Sequence, residues 1–220
     1  MSVIEPTASV SGVGGSPGVF LAFEGSDASG KTTQIRLLAE RLRAQAIDVL
    51  VTREPGDTAV GARIRSLVLD HSDEGAALSS RAEALLMAAD RAQHVAEVIR
   101  PALTRGTVVL CDRYIGSSIV YQGVGRGLGA DAVEQLSLWA TEHLLPDLTV
   151  VLTVPVELVV ARLGSLGAPD RLESLGPEFL ERVNAGYRDL LHRPNTVEVS
   201  GVGSPDQVAA LVWSSVEGMF

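Results

Sequence analysis

The feature that most narrows the folds open to this chain is the run Gly25-Ser26-Asp27-Ala28-Ser29-Gly30-Lys31-Thr32, which fits the pattern G-x-x-x-x-G-K-[ST]. It follows the apolar stretch Val19 to Phe23 and opens a segment of helical period, the strand-loop-helix setting in which such a loop cradles phosphate. Each position has a physical reason. Gly25 and Gly30 let the backbone curl so that successive N–H groups point inward at phosphate oxygens, and the helix start adds the positive end of its dipole. Lys31 brings a compact charge to the β and γ phosphates, and the Thr32 hydroxyl is a ligand for magnesium. Among eighteen Lys plus Arg residues, Lys31 is the only lysine.

From Val19 onward, short β-branched or apolar runs alternate with longer segments of helical period, the pattern of parallel strands joined by crossover helices. The expected strands are Val19 to Phe23, Val49 to Thr52, Val108 to Cys111, Leu148 to Thr153 and Thr196 to Val199. The expected helices are Lys31 to Gln45, Ala59 to Leu69, Ser80 to Thr104, Ala130 to His143, Val156 to Leu163, Glu178 to His192 and Pro205 to Val216. Together they predict an α/β chain with the three-layer P-loop NTPase fold: a five-stranded parallel sheet, helices on both faces, and one domain over 19–220. Met1 to Pro17 is rich in Ser, Gly, Pro and Val and lacks a basic start and a long apolar block. It reads as a flexible extension, so residues 1–18 are set apart from the fold. Gly164 to Gly176, Gly-rich and holding Pro169, suits a short mobile lid better than core.

Charge and cysteine content exclude several classes of function. A formal charge of -9 has the wrong sign for a surface that coats nucleic acid. The single cysteine, Cys111, rules out an intrachain disulfide framework and a Cys-rich zinc site, and fits a reducing, cytoplasmic setting. Leu148 to Ala161, the longest later apolar stretch, is broken by Pro155 and Glu157 and is too short to cross a bilayer, so no membrane partner is expected. The four histidines, His71, His94, His143 and His192, show no ligand spacing and receive no role.

A second element belongs with the phosphate loop. Val108-Val109-Leu110-Cys111-Asp112 is an apolar strand ending in a carboxylate, the form of a Walker B element, which sets Asp112 at the carboxyl edge of the sheet as a further magnesium ligand. Arg113 follows at once, and a guanidinium emerging there can clamp two phosphate groups. Taken alone, Asp112 and Arg113 could also be a strand end closed by a local ion pair.

Several motifs in fixed order then carry a resemblance. They are Phe23-Glu24-Gly25-Ser26-Asp27 running into Gly30-Lys31-Thr32-Thr33, then Thr52-Arg53-Glu54-Pro55-Gly56, and then Ala88-Ala89-Asp90-Arg91-Ala92-Gln93-His94. Asp112-Arg113-Tyr114 follows, leading through Ser117-Ser118 to Tyr121-Gln122-Gly123, with Asp170-Arg171-Leu172-Glu173 last. From about Val19 almost to the C-terminus the chain resembles the thymidylate kinase family of P-loop nucleoside monophosphate kinases. The resemblance implies phosphoryl transfer from Mg2+-ATP to dTMP, giving dTDP on the way to dTTP, and a homodimer. It implies that Gly25, Ser26, Asp27, Ala28, Ser29, Gly30, Lys31, Thr32 and Thr33 hold ATP, with Asp27 also accepting from the 3′-hydroxyl of the acceptor sugar. Arg53 and Arg113 would hold the acceptor phosphate against the γ-phosphate. Arg91 would donate to a thymine carbonyl, Gln122 and Ser118 would line the base pocket, and Tyr121 would sit beneath C2′ and disfavour ribonucleotides. From the residues alone, Arg91 could equally be a surface ion pair with Asp90 or Glu97.

The chain departs from the family pattern twice. Met87 stands where phenylalanine usually stacks on thymine, and a thioether contacts a base face with less geometric selectivity. In the lid stretch the only arginine is Arg171, with Arg162 just before it, so transition-state charge rests on few cations. Either is expected to swing over the γ-phosphate on closure, or to be a solvated charge at a helix end. Three rival functions stand beside this one: a related nucleotide or nucleoside kinase with another base, a P-loop switch or partitioning protein, and a degenerate, inactive homologue with too sparse a lid. The second needs an Asn-Lys-x-Asp element or an extra lysine early in the loop, and neither is available.

Overall fold

The computed structural model describes residues 18–69, 78–163 and 176–220. The extension over 1–17, most of the lid stretch and Arg171 lie outside the described residues. Five strands form one parallel sheet in the order β2-β3-β1-β4-β5, with β1 Phe20–Glu24, β2 Val49–Arg53, β3 Val108–Asp112, β4 Leu148–Thr153 and β5 Thr196–Ser200. Side chains on a strand alternate between faces, and β1 divides the core accordingly. Phe20 and Ala22 enter a cluster with Val109, Cys111, Val151 and Ile99, while Leu21 and Phe23 enter another with Leu110, Val150, Leu152, Ile35 and Val212. Both faces are therefore covered by helices, as an all-parallel sheet requires.

The face of Leu21 is covered by α1 (Lys31–Ala44) and α9 (Pro205–Val216). The face of Phe20 is covered in part by Val95–Ile99, the continuation of α3 (Ser80–His94), and by α4 (Arg100–Thr104), α5 (Ile115–Ser118) and α8 (Pro177–Leu190). The remaining helices are α2 (Ala59–Leu69), α6 (Ala130–Ala140) and α7 (Val156–Leu163). Leu110 is fully buried at the centre, so truncating it to alanine costs about 2–5 kcal/mol.

Three departures from the sequence expectation have local causes. The helix expected over Ser80 to Thr104 is continuous, but Val95–Ile99 is wound as a π-helix. Pro101 has no N–H for the carbonyl four residues back, and a widened turn just before it relieves the clash its ring would cause. The helix expected to reach His143 stops at Ala140, because Glu142 and His143 take φ of 50° and 58°. Ile115 to Gly125 was not expected to be helical, yet α5 runs into a π-helical stretch, Ile119–Gly125. Glycines and β-branched residues give this segment weak helical propensity. Its glycines are there for packing: a Cβ on Gly125 would lie 2.6 Å from the Phe179 ring.

Candidate active site

The strand order puts the carboxyl ends of β1 and β3 side by side, with Phe23 paired to Asp112 and, across β3, Arg53 of β2 paired to the same residue. In open α/β sheets ligands collect outside these strand ends. The loop after β1 turns through Ala28 at φ 57° and Gly30 at φ 102° before α1 begins, and α1 has no side-chain cap at its start. Its first N–H groups are therefore left for a ligand. Lys31 is nearly buried and donates to the carbonyls of Gly25 and Ser26 at 3.0 and 2.9 Å. Burial and the Arg113 charge push its pKa down to about 8, against the pull of Asp27, Asp112 and Glu24.

Thr32 Oγ1 donates to Asp112 Oδ2 at 2.6 Å, so the two expected metal ligands converge at one point beside the loop. They are hard oxygen donors, the kind magnesium takes. Arg113 leaves β3 at φ 71°, a left-handed conformation that costs a non-glycine residue on the order of 1–2 kcal/mol. Its guanidinium donates to Gly25 O, Ser117 Oγ and Tyr187 OH and forms an ion pair with Asp27. Asp27 also accepts from Tyr121 OH at 2.7 Å. Burial raises the Asp27 carboxyl, but Arg113 and Lys31 outweigh it and hold the group below its ordinary range.

A cavity of about 700 Å³ spreads from this loop. Its walls include Asp27 to Thr33, Arg53, Met87, Asp112, Arg113, Tyr121 and Arg162, so the structure brings these expected residues to one space. Gly25 and Ser26 sit behind the loop and hold Lys31 through their carbonyls. Arg91, Ser118 and Gln122 are buried and lie off the cavity wall. Arg91 is not a surface ion pair: 1% exposed, it donates to Glu54, Ser137, Ser118 and the Tyr114 carbonyl. The Gln122 amide donates to Glu83 at 3.1 Å, and its buried carbonyl oxygen has no partner among the described residues. Arg162 donates to the carbonyls of Ala28 and Gly201, bridging the phosphate loop to the turn after β5.

Sequence reasoning missed several residues around the site. Arg65, Leu69 and Pro55 wall one end of the cavity, and Gly201, Gly203, Pro205 and Val208 wall the other. Apart from Pro55, which sits inside the quoted motif Thr52 to Gly56, none had a local motif to mark it. Glu24, fully buried, accepts from the N–H groups of Tyr114 and Ser117 and from Ser117 Oγ. Burial raises its pKa despite those bonds. It lay inside a quoted motif, but its partners are some ninety positions away.

A phosphate loop and a Thr–Asp pair at one end of a cavity whose wall also carries Arg53 and Arg113 define the class as a P-loop phosphotransferase. Comparison with known proteins narrows the class. Residues 23–212 match the family model "Thymidylate kinase". The chain is 48% identical to a thymidylate kinase of Bifidobacterium longum over 91% of its length and 96% of that protein's. It is 54% identical to one from Cutibacterium acnes over 79% and 82% of the two chains. The crystal structure of thymidylate kinase from Ehrlichia chaffeensis superposes with a TM-score of 0.74 at 31% identity, covering 91% of this chain and all of that one. The chain belongs to the thymidylate kinase family, nucleoside monophosphate kinases that use ATP to phosphorylate dTMP.

Proposed function

We propose that this chain converts dTMP and ATP to dTDP and ADP by in-line transfer, with the residues on the cavity wall in the following roles. The α1 N-terminus, Lys31 and residues 25–33 grip the ATP phosphates. Thr32 and Asp112 would hold Mg2+, which when bound would neutralise charge developing on the transferring phosphoryl group. Arg53 and Arg113 draw the acceptor phosphate towards the γ-phosphate. The acceptor oxygen is already anionic, so no strong general base is needed, and the chain's task is alignment and charge neutralisation. Asp27, held by Arg113 and Tyr121, keeps its carboxylate for the acceptor sugar.

The base lies towards Met87, with Arg91, Ser118 and Gln122 behind it. The unpartnered Gln122 Oε1 suits the N3–H of thymine, a donor that cytosine lacks. Arg162 stays with the phosphate loop, and Arg171 is left to approach the transferring group. The observation that carries this reading is the convergence of Thr32 and Asp112 beside Lys31 in a cavity that also holds Arg53 and Arg113.

Activity with ATP is to be measured against a panel of dTMP, dUMP, dCMP and dGMP. Strong preference for dTMP is expected, and equal turnover of dCMP would reject the base assignment. The free thiol Cys111 supports a cytoplasmic setting, and among the described residues no helix is long and apolar enough to cross a membrane. Exposed apolar residues on the adjoining helices α2, α3 and α6 support a homodimer.

A further inference from the structure

A buried chain of polar side chains joins the two ends of the proposed acceptor site, and His94 is its centre. At the phosphate end, Asp57 Oδ2 accepts from the Arg53 backbone N–H at 3.1 Å and from Thr52 Oγ1 at 2.9 Å. Thr52 Oγ1 lies 2.6 Å from His94 Nε2, and His94 Nδ1 lies 2.9 Å from Glu54 Oε1. At the base end, Glu54 Oε2 accepts from Arg91 Nε at 2.7 Å, and Arg91 donates onward to Ser118 Oγ at 3.0 Å. Glu54, Arg91 and His94 are each no more than 3% exposed.

An ionised carboxylate only accepts, so His94 Nδ1–H donates to Glu54, while His94 Nε2 and the Thr52 hydroxyl share the bond on the other side of the ring. Glu54 is then held through one oxygen by His94 and through the other by Arg91, which fixes the plane of the Arg91 guanidinium.

The geometry points to His94 as a positioning residue that, through Glu54 and Thr52, locks the base-side Arg91 and the phosphate-side loop at Arg53 into one unit. This rests on the proposed acceptor site. Glu54, His94 and Cys111 also bring donor atoms within 4.8 Å of one another, but both Glu54 oxygens are already engaged, one by the Arg91 guanidinium and one by the His94 ring, which disfavours a metal ion there. Side chains tied into one network respond to mutation together.

The test uses three readouts. Ring-nitrogen NMR of the unaltered protein at neutral pH is expected to show a proton on His94 Nδ1, and a ring protonated at Nε2 alone overturns the inference. The variants His94→Gln and Thr52→Val are expected to raise KM for dTMP by about ten-fold or more, the loss of a bond to a charged group, while KM for ATP stays within about two-fold. The double variant should be little worse than the poorer single one. Lowered melting temperature with unchanged KM for dTMP, or two independent additive effects, makes the cluster merely structural and overturns the inference. Should His94→Gln fail to fold, the near-isosteric Thr52→Val and the NMR measurement still decide it. If the unaltered enzyme shows no dTMP-dependent ATP consumption, the proposed function fails; if it does and the variants leave KM for dTMP untouched, only this inference fails.

Discussion

Lys31 is stored inside the loop it serves, its ammonium occupied by the carbonyls of Gly25 and Ser26. With no triphosphate beside it, burial and Arg113 hold its pKa at about 8, so above pH 8 the free enzyme carries it mostly neutral. A bound triphosphate favours the ammonium and raises that pKa. ATP binding should therefore take up protons near pH 8, and KM for ATP should climb as pH rises through 8. Calorimetry in buffers of different ionisation enthalpy measures the uptake; binding with no proton exchange at pH 8 contradicts the assignment. Lys31→Ala, which removes the charge altogether, is expected to cut turnover by about 10²-fold or more with the circular dichroism of the fold retained. Asp90 is shifted in the opposite direction. Burial and Glu54 raise its carboxyl to about 6 from 3.8, so the folded state binds a proton that the unfolded chain has already lost. Stability from this group falls as pH rises between about 4 and 6 and is flat above. Asp90→Asn should melt higher than the unaltered protein at pH 7.5 and equally at pH 3.5, a comparison that thermal scans make directly.

Among the elements, the contrast between α1 and α5 shows what a linear sequence can reveal. The phosphate loop and the start of α1 were legible because their contacts are local: Lys31 reaches back only to Gly25 and Ser26. Val156 to Leu163 and Pro205 to Val216 were legible in full because each has a clear helical period and a proline at or before its start. The segment from Ile115 to Gly125 was legible as a motif but not as a helix. Its stabilisation comes from Glu24 at the end of β1, which accepts the N–H groups of Tyr114 and Ser117 at 2.9 Å. That carboxylate caps α5 from a distant strand, and no pattern within eleven residues encodes it. Gly116 tests the fit: a Cβ there would lie 2.8 Å from Glu24 Oε1, on a side chain too firmly bonded to retreat. Gly116→Ala should destabilise the protein by about 1–3 kcal/mol, read from denaturant midpoints. It should also weaken dTMP binding, because the same segment carries Tyr121. A variant as stable as the original would show that α5 tolerates displacement from β1.

At the scale of the molecule, the sheet order was beyond the sequence because neighbours such as β1 and β4 are separated by more than a hundred residues. The outer faces of the helices were ambiguous for a related reason, since helical period marks an apolar stripe without saying what covers it. The structure leaves several such residues exposed. Val60 and Leu67, two turns apart on α2, are 47% and 55% exposed, Leu85 on α3 is 58% exposed and Trp139 on α6 is 79% exposed. The α2–α3 and α3–α6 pairs are packed against each other, so these side chains belong to neighbouring helices. Exposed apolar groups on adjoining elements are candidates for an interaction face, and a second copy presenting the same groups is the partner proposed above. Each copy carries a formal charge of -9, so association works against net repulsion that salt screens. Sedimentation should therefore find a dimer that persists or tightens as sodium chloride is raised, the opposite of an interface built on ion pairs. Leu67→Glu combined with Leu85→Glu places like charges on both sides of a two-fold axis and should give monomers at micromolar concentration. A double variant that sediments as the original does would move the dimer contact away from α2 and α3.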